Sequence, residues 1–376
     1  MKKIFSLLAL ALIATSILIG INRPALAQWT EANGPYSSTI YGFTSAGTTL
    51  YAAYQKGVFV SSDNGANWVT YNNSLTNGNV TCLASSTDGT AVFAGTGYAG
   101  PYLSTDNGKT WIERFIGGTY SVSSLAVSGA NVFAGTNNGA FVSSDNGVTW
   151  DTIGIALPAN YRATCFAIGE NVFVASAIGL VLSPNGGTTW SLVDTTTNLV
   201  GFAVAGTDLF AASGDVLRSM DNGKTWSVAD SGLEINRFNG ARVLAVSGNN
   251  LFAGTTSKGV FLSNDNGTTW TPMSSGLPNN GIPNNLAYTQ IYSMTVTDSF
   301  VLVGFYQGGI WRLPLSQAVS SVEQLSSDKS YESFLAYPNP AHTSFSLNNL
   351  QGVNEVRIFD AAGREVLSQK VSGPHV

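Results

Sequence analysis

The sequence predicts an all-β protein: a seven-bladed β-propeller followed by a small, incomplete β-sandwich-like C-terminal domain. A motif of the form Ser-x-Asp-x-Gly-x-(Thr/Asn)-Trp recurs about every forty residues, a period typical of stacked or radially arranged units. The chain of 376 residues contains 41 Gly and only 10% charged residues. No long stretch has helical periodicity, and short apolar runs of strand type flank each copy of the motif.

Each copy of the motif is interpreted as a tight turn between the third and fourth strands of a blade. Asn and Gly tolerate the positive φ that hairpin turns require, and the Trp that follows offers a large apolar face. Because repetition of a site indicates architecture before chemistry, we interpret the Asp and Trp residues as structural. Five complete copies, and a sixth with Asn in place of Asp, contribute Asp63 and Trp68, Asp106 and Trp111, Asp145 and Trp150, Asn185 and Trp190, Asp221 and Trp226, and Asp265 and Trp270.

The seventh repeat lacks this motif. Its second and third strands are predicted at Phe300–Gly304 and Gly309–Trp311, and no fourth-strand Trp follows them. Trp29 lies directly before the first strand of blade one, where a motif Trp would end a preceding blade. We therefore predict that Trp29 supplies the fourth strand of blade seven and closes a ring over residues 28–318, which removes the exposed sheet edges.

The repeated motif resembles the Asp-box, or BNR, repeat of sialidases, xyloglucan-active glycosidases, sortilin-type receptors and propeller-type photosystem II assembly factors. The resemblance covers nearly the whole propeller and implies the fold. It leaves the function open, because these families include enzymes, receptors and assembly factors.

Residues 1–27 are predicted to be a secretory signal peptide. Lys2 and Lys3 precede an apolar run, and Ala25-Leu26-Ala27 has the form of a cleavage site. An uncleaved membrane anchor is the alternative interpretation. The formal net charge is −5, so nucleic acid is a poor partner. We expect no cofactor, no metal site, no stable membrane span after cleavage, and a monomer.

A catalytic site is not obvious in the sequence. A glycosidase needs two suitably spaced carboxylates, and outside the repeated motif no pair stands out. The weak candidates are Glu113, Glu234 and Asp230. We therefore expect a secreted or cell-surface module that binds a glycan or protein ligand without catalysis. A secreted glycoside hydrolase, sialidase-like or xyloglucanase-like, is the alternative, and a periplasmic assembly factor is a third possibility.

Candidate binding residues lie in the loops between blades and between second and third strands. These loops form the face opposite the repeated turns, and Tyr and Asn there combine flat apolar area with hydrogen bonding. Ordinary polar loops with aromatic rims are the alternative interpretation. The predicted binding residues are Tyr98, Tyr120, Tyr161, Arg237, Tyr288 and Tyr306.

The composition changes after the propeller. Residues 319–336 form a Ser-rich predicted linker. Residues 337–376 contain Tyr337-Pro338-Asn339-Pro340 and a predicted hairpin from Val356 to Leu367. This segment resembles the C-terminal sorting domain of type IX secretion cargo, the Por sorting domain, in a partial and apparently truncated form. The resemblance implies contact with the type IX machinery and a secreted or outer-membrane surface location in a Gram-negative, Bacteroidetes-like bacterium.

Overall fold

The computed structural model describes residues 28–72, 74–75, 79–118, 120–153, 163–168, 171–176, 179–195, 199–233, 235, 240–278, 290–319, 355–359 and 365–370. For residues 165–168, 355–359 and 365–370 only the backbone is described. The predicted signal peptide, nearly all of the predicted linker and most of the predicted C-terminal domain lie outside this set. The chain forms two compact units, of which Ala27–Val322 is one.

Within the propeller unit the strands follow one another in sets of four. The first strand of the propeller is β1 (Thr30–Glu31). Blade one has β2 (Ile40–Ala46), β3 (Thr49–Tyr54), β4 (Gly57–Ser61) and β5 (Val69–Thr70). Blade two has β6 (Val80–Ser85), β7 (Val92–Thr96), β8 (Pro101–Ser104) and β9 (Ile112–Glu113). Blade three has β10 (Val122–Ser128), β11 (Asn131–Thr136), β12 (Gly139–Ser143) and β13 (Asp151–Thr152).

The remaining blades repeat this order. Blade four has β14 (Thr164–Ile168), β15 (Asn171–Ser176), β16 (Gly179–Ser183) and β17 (Ser191–Asp194). Blade five has β18 (Gly201–Ala205), β19 (Asp208–Ala212), β20 (Val216–Ser219) and β21 (Ser227–Val228). Blade six has β22 (Ala241–Ser247), β23 (Asn250–Thr255), β24 (Val260–Ser263) and β25 (Thr271–Pro272). Blade seven has β26 (Ile291–Val296), β27 (Phe300–Phe305) and β28 (Ile310–Pro314).

The predicted ring closure is confirmed. Strand β1 pairs antiparallel with β28, with Thr30 opposite Arg312 and Glu31 opposite Trp311, so the first strand of the propeller completes the last blade. Trp29 is buried, and its indole N–H donates to the carbonyl of Met273 over 2.6 Å. Every blade is thereby a four-stranded antiparallel sheet, and the seven-bladed prediction holds.

The fourth strands begin later than predicted. They start after the motif Trp rather than at it; β5, for example, begins at Val69. The backbone N–H of Trp68 donates to the carbonyl of Asn33, and that of Trp270 to the carbonyl of Ser231, in the connection that leaves the preceding blade. In these two copies the Trp backbone therefore bonds the neighbouring blade instead of its own third strand.

Adjacent blades pack through the repeated turns. The second strands are almost entirely buried, as in β7, and they present large side chains to the next blade. Gly267 of blade six lies so close to Phe210 of blade five that a Cβ atom there would be 2.7 Å from the ring. Its φ of 78° also favours glycine. The positive φ predicted for the Asn-Gly pairs is confirmed here and in the other complete copies.

The C-terminal unit is described by one hairpin. Strands β29 (Glu355–Phe359) and β30 (Glu365–Lys370) pair antiparallel, as the sequence predicts. Among the residues that the structure describes, no helix has the length and apolar character needed to cross a membrane.

Candidate functional site

The propeller has two faces with different connections. On one face, which we call the turn face, the repeated turns lie beside the turns between first and second strands: the Asn266 side-chain amide donates to Asp208 Oδ2 over 2.7 Å. On the opposite loop face, the turns between second and third strands bond the segments that enter the first strands. The N–H of Tyr306 donates to Gln290, and that of Gly97 to Asn79, both over 2.9 Å.

The motif residues use their polar groups within their own turns. In blade three the N–H of Gly147 donates to Ser143 Oγ over 2.7 Å, and Ser143 Oγ donates to Asp145 Oδ1 over 2.8 Å. The N–H and hydroxyl of Thr149 donate to the two carboxylate oxygens of Asp145. These hydrogen bonds, that of the Thr149 N–H foremost, lower the pKa of Asp145 from 3.8 to about 2. The carboxylate is thus held in its ionised form by the turn.

The first strand of each blade, which we call the inner strand, has one end at the loop face. Several inner strands contain the same irregularity at this end. In five inner strands the pairing register skips the second residue, which is the signature of a β-bulge. Bulges change the direction of a side chain and occur often next to functional sites. The skipped residues are Tyr41, Thr81, Ser123, Arg242 and Tyr292.

These bulge residues divide into two groups. In blades two and three they are small and bond the next blade: the Thr81 hydroxyl donates to the carbonyl of Val122, and the Ser123 hydroxyl donates to that of Ala163 over 2.8 Å. In blades six, seven and one they are large side chains, Arg242, Tyr292 and Tyr41. The loop face is therefore asymmetric around the ring. Its bulge positions carry large aromatic or charged side chains at blades six, seven and one, and small hydroxyl side chains at blades two and three.

Four side chains from these three blades form what we call the mouth cluster: Tyr41, Arg242, Tyr292 and Tyr306. The ring of Tyr292 is stacked against Tyr306 at 5.5 Å between centroids and meets Tyr41 edge-on at 6.1 Å. Arg242 Cζ lies 4.4 Å from the centroid of the Tyr292 ring, a cation–π contact. Burial, followed by the charges of Tyr292 and Tyr306, raises the pKa of Tyr41, so its hydroxyl stays protonated at neutral pH.

The mouth cluster offers apolar faces together with hydrogen-bond donors. Arg242 is exposed, and within the described part of the chain it forms no ion pair. Its contact with the Tyr292 ring restrains the guanidinium, whose N–H donors are available to a ligand. Phenol rings and hydroxyls of half-buried Tyr41, Tyr292 and Tyr306 surround it. This arrangement suits a ligand with flat apolar faces and hydroxyl or carbonyl groups.

The predicted binding residues are not gathered at one place. Tyr306 belongs to the mouth cluster, whereas Tyr98 is 70% exposed in the turn between the second and third strands of blade two. Tyr120 is half-buried and stacks on Phe141 at 5.7 Å. Tyr161, Arg237 and Tyr288 lie outside the described residues.

The weak catalytic candidates also separate. Glu113 is exposed in the outer strand β9, opposite Tyr102, and Glu234 lies outside the described residues. The Ala229 N–H donates to the Val216 carbonyl, which extends the β20–β21 pairing by one residue. In the same register the next residue, Asp230, lies opposite Asp215. Burial and then repulsion by Asp215 raise the pKa of Asp230.

Three members of the mouth cluster were not among the predicted site residues. Tyr41, Arg242 and Tyr292 each follow a buried residue at the start of an inner strand, where the sequence pattern indicates an ordinary strand. The available signal is a comparison of the repeats at that position, since blades two and three have Thr81 and Ser123 there and blades six, seven and one have large side chains.

The comparisons with solved structures show the fold. The extracellular domain of the hybrid two component system BT4673 from B. thetaiotaomicron is similar with a TM-score of 0.60 and 15% identity, covering 76% of this chain and 39% of that one. The GH74 xyloglucanase from Xanthomonas campestris gives 0.59 and 14%, with coverage of 76% and 53%. The Niastella koreensis GH74 enzyme gives 0.60 and 14%, with coverage of 92% and 68%. The chain thus spans about two fifths to two thirds of these proteins.

A search among curated proteins finds no match to this sequence. Residues 335–375 match the family described as the secretion system C-terminal sorting domain. A sorting domain of this type implies interaction with the secretion machinery. The protein is therefore a secreted or cell-surface protein of the Bacteroidetes that combines a seven-bladed β-propeller with a C-terminal sorting domain.

Proposed function

We propose that this protein is a non-catalytic binding module that takes a glycan or protein ligand at the mouth cluster. The observation that carries the proposal is the convergence of Tyr41, Arg242, Tyr292 and Tyr306 at the loop face of blades six, seven and one. Large aromatic side chains and arginine contribute most of the binding energy in many recognition sites. Propeller rings also commonly bind ligands where their central channel opens.

A glycan array and a pull-down from cell-surface extracts, both with the full chain, test this proposal. We expect the double variant Tyr292→Ala, Tyr306→Ala to bind the selected ligand at least about tenfold more weakly, because two aromatic contacts are lost. Met220→Ala is the matched control, since Met220 is 73% exposed in a repeated turn on the opposite face. Unchanged binding by a folded double variant would contradict the proposal.

A glycoside hydrolase is the second candidate, and the Asp215–Asp230 pair favours it. Two neighbouring carboxylates on the loop face, of which Asp230 has a raised pKa, are the kind of groups that glycoside hydrolysis uses. Turnover of sialyl and xyloglucan substrates by the full chain, lost in Asp230→Asn and in Asp215→Asn, would support catalysis and replace the binding proposal. The absence of turnover together with ligand binding supports the binding module.

A further inference from the structure

Exposed aromatic side chains extend over the loop face beyond the mouth cluster. Exposed apolar side chains indicate an interaction site when they belong to one connected surface, whereas singly scattered ones are common on proteins. Four are exposed in connections of this face around blades one and two, and we call them the aromatic arc: Tyr36 at 58%, Tyr71 at 38%, Tyr98 at 70% and Phe115 at 61%. Tyr36, Tyr71 and Phe115 lie in inter-blade segments, and Tyr98 lies between a second and a third strand.

Backbone contacts connect the arc to the mouth cluster. Gly309, in the turn that carries Tyr306, lies beside Tyr36: a Cβ atom there would be 3.6 Å from the Tyr36 Cα. The N–H of Gly309 also donates to Ser38. The Tyr36 hydroxyl donates to Asn33 Oδ1 over 3.1 Å, which restrains the ring. The arc therefore begins at the mouth cluster and not at a separate site.

The same arc continues across blade two. Gly97, next to Tyr98, bonds the carbonyl of Asn79 in the segment that follows Tyr71. Gly100 approaches the backbone of Arg114 and Ile116 on either side of Phe115. Fixed backbone contacts thus join the segments that carry Tyr71, Tyr98 and Phe115, while Tyr36 is joined to the turn of Tyr306.

The arc is almost uncharged. In three of its four segments the described residues, 33–39, 71–72 with 74–75 and 79, and 96–101, include no Asp, Glu, Lys or Arg, and most are Asn, Gly, Ser or Thr or the aromatic residues themselves. The fourth, residues 114–121, contains Arg114 as its one charged residue. Aromatic faces separated by amides and hydroxyls, with few charges besides Arg114 and the exposed Lys56 of the β3–β4 turn, match a chain of neutral sugar rings with apolar faces and hydroxyl edges. A protein surface would bring apolar side chains and charges for which the arc offers few partners.

We propose that the ligand is a neutral polysaccharide strand that occupies the mouth cluster and continues along the aromatic arc. The inference rests on the proposed binding function and adds the ligand class and the direction of the chain. A short oligosaccharide contacts the mouth cluster alone, whereas a polymer also covers blades one and two. Affinity therefore rises with chain length, and the arc residues account for that rise.

Affinity electrophoresis of the full chain tests the inference. The probes are hydroxyethylcellulose, galactomannan and soluble starch in separate gels, with polygalacturonate as an acidic probe. We expect retardation by at least one neutral polymer and not by polygalacturonate. The variant Tyr98→Ala, Phe115→Ala is expected to bind that polymer at least about fivefold more weakly. Titration calorimetry with a disaccharide and a hexasaccharide of the same sugar is expected to show equal affinity of variant and native chain for the disaccharide only.

The matched control is Val148→Ala, Met220→Ala, which removes two exposed apolar side chains from the turn face and is expected to leave binding unchanged. If the arc variant retains full polymer affinity while Tyr292→Ala loses it, the arc inference is overturned and the mouth proposal stands. If Tyr292→Ala also retains full affinity, both are overturned. Retardation by the acidic probe alone, or by none of the polymers, overturns the neutral-polysaccharide inference.

Discussion

At the scale of single residues, a short chain of hydrogen bonds holds each repeated turn. A backbone N–H donates to the Ser hydroxyl, which donates to the Asp carboxylate, and this carboxylate receives two further bonds from the Thr or Asn that precedes the Trp. Asn185 shows which parts of this arrangement need a charge. Its side chain makes the same contacts to Ser183 and Thr189 in neutral form. All six copies therefore share the geometry of the turn, and in five of them the side chain that accepts the hydrogen bonds is also ionised.

The first prediction concerns the pH dependence of stability. In Asp145→Asn we expect a lower free energy of unfolding than in the native chain at pH 7. The folded-state pKa of Asp145 is about 2, below the ordinary Asp value of 3.8, so its contribution to stability is present above pH about 4 and lost as pH falls towards 2. Urea unfolding between pH 2 and 7 should show the difference shrinking over that window. The reverse variant, Asn185→Asp, is expected to gain stability at pH 7, and a difference that does not change with pH would contradict the explanation.

The mouth cluster could not be predicted from the sequence at this scale. Tyr41 and Tyr292 are separated along the chain by nearly the whole propeller sequence, and their contact depends on closure between the adjacent blades seven and one. Each side chain also lies at a bulge near the start of its strand, and nothing in the alternation of apolar residues indicates a bulge. Tyr306 was predictable because its loop position is visible in the repeat pattern.

At the scale of elements, packing of a repeated turn against the next blade decides which residues fit. The strands and turns were predictable, because period-two runs and Asn-Gly pairs are local signals. The short fourth strands were not, because the backbone N–H groups of Trp68 and Trp270 bond segments of the preceding blades in tertiary contacts. A local pattern does not reveal such a competitor for the strand hydrogen bond.

The second prediction separates steric fit from backbone strain in the turns. Gly267→Ala is expected to lower the free energy of unfolding by about 2–4 kcal/mol, because a Cβ atom adds a clash with Phe210 to the cost of positive φ. Gly248→Ala is the matched control: its φ is 58° and nothing lies within 4 Å of a Cβ atom there. We expect about 1 kcal/mol for the control. Equal losses in chemical denaturation would show that the contact between blades does not constrain the turn.

At the scale of the whole molecule, closure of the ring depends on one residue near the start of the propeller. Trp29 was identifiable from the sequence by counting: seven third strands stand against six internal motif Trp residues. The structure supplies the reason for its position, since its ring is buried in blade seven among residues that include Phe252, Leu277 and Leu313.

The third prediction tests this closure. Trp29→Ala is expected to lower the free energy of unfolding by about 3–5 kcal/mol through loss of a buried ring. Trp29→Phe keeps most of the apolar contact but removes the donor to Met273, for which we expect about 1–2 kcal/mol. Gln28→Ala, at an exposed neighbouring position, is the control. Urea unfolding followed by far-ultraviolet circular dichroism measures all three, and a Trp29→Ala midpoint equal to that of the control would refute the role of Trp29.

The fourth prediction concerns export. Deletion of residues 335–375, the segment that matches the sorting-domain family, is expected to abolish appearance at the surface or in the medium of a host with type IX secretion. The deleted protein is expected to accumulate in the periplasm with an unchanged propeller spectrum, because the propeller strands end at Pro314. Cell fractionation and immunoblotting provide the measurement. Equal secretion of both forms would disprove a sorting role for the segment.

The pairing of β1 with β28 also imposes an order on the folding of the propeller. Thr30 and Arg312 meet across 282 positions of the chain, and closing so long a loop costs about 5 kcal/mol of chain entropy. A ribosome releases Trp29 early, yet its pocket exists only after the last blade has been made and exported. The ring therefore cannot close until both β1 and the last blade are present. Until β1 pairs with it, β28 has an unpaired edge that can bond a strand of another chain. We therefore expect ring closure to be the slow step of folding. We also expect the propeller that lacks only the pairing of β1 to be the state most prone to aggregation.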